Sequence, residues 1–162
     1  MTWDGAVLIS IEESEIEAGF IMTGSNDGLV HITRNYGESW ENVSPNIPDL
    51  PEWGTISNIE ISKHKKGTAY ITVDLHHMGN FDPFVYKTSD YGKSWKKISN
   101  SVPKSIHSFV HVVKEDPKKE GMLYLGTDNA LYISFDDGLN WQKFQLNLLQ
   151  QLQLELFQLP YK

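Results

Sequence analysis

The chain has no cysteine. That excludes a disulfide framework, a thiolate metal site and a cysteine nucleophile. Arginine is nearly absent too: Arg34 is the single one, and 14 basic residues face 21 acidic ones for a formal charge of −7. This balance argues against a nucleic-acid partner, and the basic clusters Lys63-His-Lys-Lys66 and Lys118-Lys119 read as solvated loops. No apolar run is long enough to cross a bilayer, so membrane insertion is not expected. Met1-Thr-Trp-Asp-Gly5 lacks the charged and then apolar layout of a signal peptide, and the compartment is left unassigned. No Ser-His-Asp order, zinc spacing or phosphate loop occurs. Gly24-Ser-Asn-Asp-Gly28 is followed by no helix and reads as a hairpin turn. Neither a cofactor nor a metal is expected.

What the chain does have is a turn signature in triplicate. It runs Thr33-Arg-Asn-Tyr-Gly-Glu-Ser-Trp40, Thr88-Ser-Asp-Tyr-Gly-Lys-Ser-Trp95 and Ser134-Phe-Asp-Asp-Gly-Leu-Asn-Trp141. Asn35, Asp90 and Asp136 can fold side-chain oxygens onto backbone N–H groups, as Asx-turns do. Gly37, Gly92 and Gly138 suit a left-handed backbone position. Thr33, Thr88 and Ser134 open each copy with a hydroxyl. Trp40, Trp95 and Trp141 open the returning strand, and each is expected to bury its ring. These residues hold a hairpin together and suggest no reaction.

The stretches around the signature repeat as well. Gly19-Phe-Ile-Met-Thr-Gly24, Gly67-Thr-Ala-Tyr-Ile-Thr72 and Gly121-Met-Leu-Tyr-Leu-Gly126 are one strand written three times. An alternating run precedes each, a short strand leads into each signature, and another leaves each Trp. Four strands per unit make a propeller blade. The expected fold class is all-β: a β-propeller segment of three blades, at about 5–47, 54–100 and 106–147. With 40% apolar residues, five Trp, seven Tyr and seven Phe, there is enough material for a core.

The signature resembles the Asp-box, or BNR repeat, of sialidases, propeller glycoside hydrolases and Vps10/sortilin receptors. The resemblance covers roughly residues 5–147 and implies a propeller. It implies first a non-catalytic scaffold or binding segment of a larger sortilin-like protein, with carbohydrate or peptide as ligand. The alternative is a fragment of a propeller glycoside hydrolase acting on polysaccharide. Sialidases in addition use an arginine cluster, which the lone Arg34 beside a box cannot supply. The family is secreted or periplasmic in character, and a secreted parent would carry its signal upstream of residue 1.

Three blades are fewer than the roughly four to eight that close a propeller. The chain is therefore expected to be part of a larger one, or to cover its ends by self-association. Residues 148–162, rich in Gln and Leu, match no part of the repeat. Leu149-Gln-Gln-Leu-Gln-Leu-Glu155 can be encoded by codons that, shifted by two bases, read Pro-Thr-Thr-Pro-Ile-Arg, so a frameshifted end is expected there. The competing reading is an amphipathic segment that caps the last blade.

Candidate binding residues gather on the rim opposite the boxes. Val73–Pro83 is expected to be a long loop; it holds Asp74, His76, His77 and Asp82, while the linkers add Glu52, Trp53, Lys104 and His107. A glycosidase needs two carboxylates ~5–5.5 Å or ~6.5–9.5 Å apart, so Asp74, Asp82 and Glu52 are the catalytic candidates. His76, His77, Trp53 and His107 are the binding candidates. His76 and His77 are adjacent, so in an extended segment their side chains would point apart, which disfavours a shared metal.

Overall fold

In a computed structural model, which describes residues 6–144, the chain forms three four-stranded antiparallel sheets, none closed on itself. Blade 1 is β1 (Leu8–Glu13), β2 (Ile21–Ser25), β3 (Val30–Thr33) and β4 (Glu41–Asn42). Blade 2 is β5 (Thr55–Ile61), β6 (Ala69–Leu75), β7 (Asn80–Thr88) and β8 (Lys96–Lys97). Blade 3 is β9 (Val110–Glu115), β10 (Leu123–Thr127), β11 (Leu131–Ser134) and β12 (Gln142–Lys143). Within each sheet, strands neighbouring in sequence pair in space, the up-and-down meander of a propeller blade. The proposed tail, with its frameshift, lies outside the described residues.

The expected loop at 73–83 is instead a long hairpin. β6 continues to Leu75 and pairs it with Asn80, after a register shift between Val73 and Leu75. Only the 3-10 turn His76–Met78 and Gly79, at φ 78°, stand between the strands. The polar residues that suggest a loop in sequence are the outward side of a protruding ribbon.

Side chains alternate between the two faces of each sheet, so each blade can serve two joints. At the blade 1–2 joint, Phe20, Met22, Ile32 and Val43 bury against Ile59, Ile71, Tyr86 and Trp95. At the blade 2–3 joint, Tyr70, Val85 and Ile98 meet Val113, Leu123, Leu125 and Trp141. Burying each such aliphatic side chain stabilises by roughly 1.5–3 kcal/mol. Polar contacts fix the alignment. The Tyr86 hydroxyl donates to Asp49 O at 3.2 Å across the first joint, and burial pushes this phenol up to about 12.

The three boxes share one hydrogen-bond pattern. In blade 2 the Thr88 hydroxyl donates to Asp90 Oδ1 (2.8 Å) and accepts from the Gly92 N–H (2.9 Å), while Asp90 Oδ1 accepts from the Ser94 N–H (2.9 Å). Thr33, Asn35 and Gly37 repeat it, as do Ser134, Asp136 and Gly138. The tryptophans do not share one fate. Trp95 and Trp141 are 8% and 7% exposed, whereas Trp40 is 45% exposed, against the expectation that all three rings bury. Each buried ring lies against the blade before it: the Trp141 indole N–H donates to Ile98 O at 2.7 Å. Among the described residues no blade precedes blade 1, so Trp40 has nothing to lie against.

Candidate functional site: a histidine and aromatic rim

The hairpin tip of blade 2 builds the site from local rules. Asp74 precedes the 3-10 turn and accepts the His76 backbone N–H at 2.9 Å, an Asx-type closure. The same carboxylate receives the His76 ring Nδ1 at 2.7–2.8 Å, which leaves Nε2 as the uncommitted ring nitrogen. Because the turn is helical rather than extended, His77 does not point away from His76. Their ring centroids are 3.7 Å apart, correcting the sequence expectation.

The ladder then crosses to blade 3. His76 stacks on Phe109 with centroids 4.6 Å apart and an interplanar angle of 22°. Phe109 meets His111 edge-on at 5.1 Å and Phe81 at 6.0 Å. A second Asp–His pair closes the far end. His107 Nδ1 lies 2.7 Å from Asp128, and His111 Nε2 lies 3.9 Å from the same carboxylate. The Ser108 hydroxyl donates to Phe81 O at 2.7 Å and ties the blade 2–3 linker to the hairpin. Four of the six histidines in the chain therefore sit on one rim, strung along an aromatic stack.

Beside the ladder runs an open groove of about 440 Å³, lined by Gly79, Asn80, Phe81, Asp82, Lys104 and Ile106. Asp82 and Lys104 form an ion pair in its wall. Nearby Lys97 lies over the Phe84 ring at 4.2 Å. Burial lowers its ammonium below the usual lysine range, and the Lys104 charge lowers it further. Ile106 is an exposed apolar side chain in the groove wall, and Met78 is exposed in the 3-10 turn that precedes Gly79.

The sequence candidates divide accordingly. Asp74, His76, His77 and His107 belong to the ladder, and Asp82 lines the groove. Glu52 and Trp53 stand on the blade 1–2 linker, Trp53 being 64% exposed at φ 60°. Among the described residues no side-chain hydrogen bond or ring stack joins them to the ladder. Phe109, His111 and Asp128 escape the sequence reading. Phe109 and His111 fall in an apolar alternating run that reads as core, and Asp128 sits in a turn; the only signal was a histidine in an otherwise aliphatic strand. Among the described residues no three His, Asp or Glu side chains are grouped to hold a metal ion.

A second cleft, of about 290 Å³, lies on the box side of the blade 2–3 joint. There the Tyr70 hydroxyl donates to Asp137 at 2.9 Å and to Glu115 at 3.4 Å, and Lys87 pairs with Asp137. Burial raises the Tyr70 phenol well above its ordinary value, helped by both carboxylates. Glu115 also accepts the Gly121 N–H, so this network holds blade 3 against blade 2.

The repeated box turns and blade meander place the chain among Asp-box propellers, and the family model described as "Sortilin, neurotensin receptor 3" matches residues 28–148. The chain belongs to the Sortilin-Vps10 family. A search of curated proteins finds no match. Among solved structures this Sortilin-Vps10 chain is similar to YCF48 from Cyanidioschyzon merolae, at 22% identity and TM-score 0.61, covering 85% of this chain and 37% of that one. A structure of YCF48 bound to D1 peptide gives 19% identity and TM-score 0.61, with 85% and 39% covered. The GH74 xyloglucanase from Xanthomonas campestris gives 17% identity and TM-score 0.65, with 85% and 21% covered. The chain thus spans well under half of these proteins, and at such identities the likeness is one of fold.

Proposed function

We propose that this chain is a non-catalytic scaffold of a larger Asp-box propeller, and that it binds a peptide along the histidine and aromatic rim. The observation that carries the reading is the stack His77–His76–Phe109–His111 beside an open groove with apolar lips. Flat rings offer contact area at low entropic cost, and the ring nitrogens and the Asp82–Lys104 pair offer hydrogen bonds to peptide groups. A rim of this kind suits an extended ligand laid across two blades. The peptide seen in the YCF48 structure is in keeping with such a use of the fold.

The hydrolase reading draws on the Asp-box resemblance and on the GH74 neighbours. Two of its three candidate carboxylates are already engaged, Asp74 by His76 and Asp82 by Lys104, and Glu52 stands apart from both. The discriminating experiment screens the chain against a displayed random-peptide library and, in parallel, against soluble polysaccharides for reducing-end release. Peptide enrichment that falls at least about tenfold in His76→Ala and His111→Ala, but not in Trp40→Ala, is the expected result. Polysaccharide cleavage that disappears in Asp74→Asn or Asp82→Asn would replace this reading with the enzymatic one.

A further inference from the structure

The two joints between blades differ where they reach the box rim. At the blade 1–2 joint this place is filled by Phe20, Met22 and Ile32 from blade 1 and by Ile61 and Tyr91 from blade 2. Phe20 and Tyr91 meet edge-on at 5.3 Å. Arg34 shuts the mouth: its guanidinium lies 3.9 Å over the Tyr91 ring and 3.4 Å from Glu17, to which the Tyr91 hydroxyl donates at 2.9 Å. Counted from the repeat glycines, the same positions at the blade 2–3 joint hold Thr68, Tyr70, Lys87, Glu115 and Asp137, and Ser89 stands where Arg34 does. Each apolar plug residue has given way to one with a polar group, and the place is the cleft of about 290 Å³.

This exchange costs stability. Thr68 and Glu115 are 2% and 4% exposed and both line the cleft, yet the Thr68 hydroxyl and Glu115 Oε2 have no hydrogen-bond partner among the described residues. Each such orphan costs about 1–3 kcal/mol, and a charged one more. Glu115 Oε1 is committed to the Gly121 N–H at 3.1 Å and the Tyr70 hydroxyl at 3.4 Å. Among the described residues no basic side chain pairs with Glu115, because Lys87 is held by Asp137. Buried carboxylates are ordinarily paired, so the group that completes this one is a cation bearing N–H donors.

The surroundings narrow the cation. Among the described residues no three His, Asp or Glu side chains are grouped to hold a metal ion. Phe135, exposed at the cleft edge, already carries the Lys119 ammonium 5.2 Å from its ring centroid, an attraction open to organic cations. Glu115, Glu120, Asp136 and Asp137 outnumber Lys65 and Lys87 around the cleft. Glu115 offers one free oxygen, which suits a compact ammonium better than the two-pronged guanidinium fork.

We propose that the blade 2–3 cleft binds a primary ammonium group, carried by a lysine side chain or a small alkylamine, with Glu115 Oε2 and the Thr68 hydroxyl as acceptors and the Phe135 ring along the alkyl chain. The ammonium takes at this joint the box-rim place that Arg34 fills at the other. The site is separate from the histidine rim, which lies at the opposite ends of the strands. β1 starts and β12 finishes at that opposite rim, so neither end of the described chain abuts the cleft.

Backbone amide NMR shifts of the whole chain, titrated with n-butylammonium chloride at constant ionic strength, test this. Saturable shifts at Thr68, Glu115 and Gly121 are expected. Affinity should fall at least about tenfold in Glu115→Gln, which keeps an acceptor for the Gly121 N–H but removes the charge. Thr68→Val should weaken binding likewise and serves if the first variant misfolds. A capped Gly-Lys-Gly peptide separates the sources: tighter binding than n-butylammonium assigns the group to a polypeptide lysine, and equal or weaker binding assigns it to a free amine. No saturation, the same shifts with sodium chloride, tighter binding of methylguanidinium, or affinity indifferent to both variants would each overturn the proposal. Peptide binding at the histidine rim is read through His76→Ala and His111→Ala, so either idea can fail alone.

Discussion

Blades 1 and 2 carry the same box in opposite surroundings. In both, a threonine hydroxyl bridges an Asx side chain and a left-handed glycine, with donor–acceptor distances that agree within 0.1 Å. Yet Trp95 is buried and Trp40 is not. The turn is fixed by residues within eight positions of one another, so it forms wherever the signature is written. Burial of the ring depends on a different blade, dozens of residues away. The signature therefore encodes a hairpin, and the joint is encoded only by the succession of blades.

The largest test of that contrast is a pair of truncations. Trp95→Ala removes a buried aromatic and should cost ~3–5 kcal/mol, whereas Trp40→Ala removes a half-exposed ring and should cost less than ~1 kcal/mol. Urea midpoints of the two variants measure the gap, and equal midpoints would break the comparison. Glycine substitution gives a smaller and more local version. Gly138→Ala places a Cβ 2.6 Å from the Ile98 side chain at φ 84°, while Gly37→Ala meets only the backbone cost at φ 89°. The left-handed conformation costs roughly 1–2 kcal/mol in both, and overpacking adds roughly 1–3 kcal/mol in Gly138→Ala alone. If both variants lose the same stability, Ile98 yields to the methyl and the joint is looser than its packing implies.

The same division explains what sequence could reveal. Strands and box turns were legible because their signals are local: period-2 alternation, an Asx residue two positions before a glycine, a hydroxyl two before that. The extent of the blade 2 hairpin was not. Asp74, His76, His77 and Gly79 are turn-like in composition, and only the pairing of Leu75 with Asn80 shows that the ribbon runs on. The candidate site was half legible. Asp74, His76, His77, Asp82 and His107 stood out as polar residues between strands. Phe109 and His111 did not, because a strand that is core at one end and rim at the other keeps one alternation throughout. Asp128 becomes informative only when blade curvature brings its turn to His107.

The mildest test uses the one chemical difference among the boxes. Hydrogen bonds from Ser94, its hydroxyl first, hold the Asp90 carboxyl below the usual aspartate range. The side chain and then the backbone N–H of Asn140 do the same for Asp136. Blade 1 has Asn35 instead, whose Oδ1 accepts from the Thr33 hydroxyl and the Ser39 N–H while its Nδ2 donates to the Ser39 hydroxyl at 2.9 Å, and it does not titrate. A carboxyl whose pKa is lower folded than unfolded stabilises the fold above the unfolded value near 3.8, and that contribution is lost as pH falls through the folded value. Blades 2 and 3 should therefore loosen in acid through their boxes while blade 1 does not. The double variant Asp90→Asn, Asp136→Asn should lower the neutral-pH urea midpoint slightly and show a shallower decline below pH 3.8, and Asn35→Asp should steepen it. An acid limb unchanged by either substitution would mean that the box oxygens act as acceptors only, with charge contributing nothing. Both side chains are partly exposed, so solvent screening keeps the effect small.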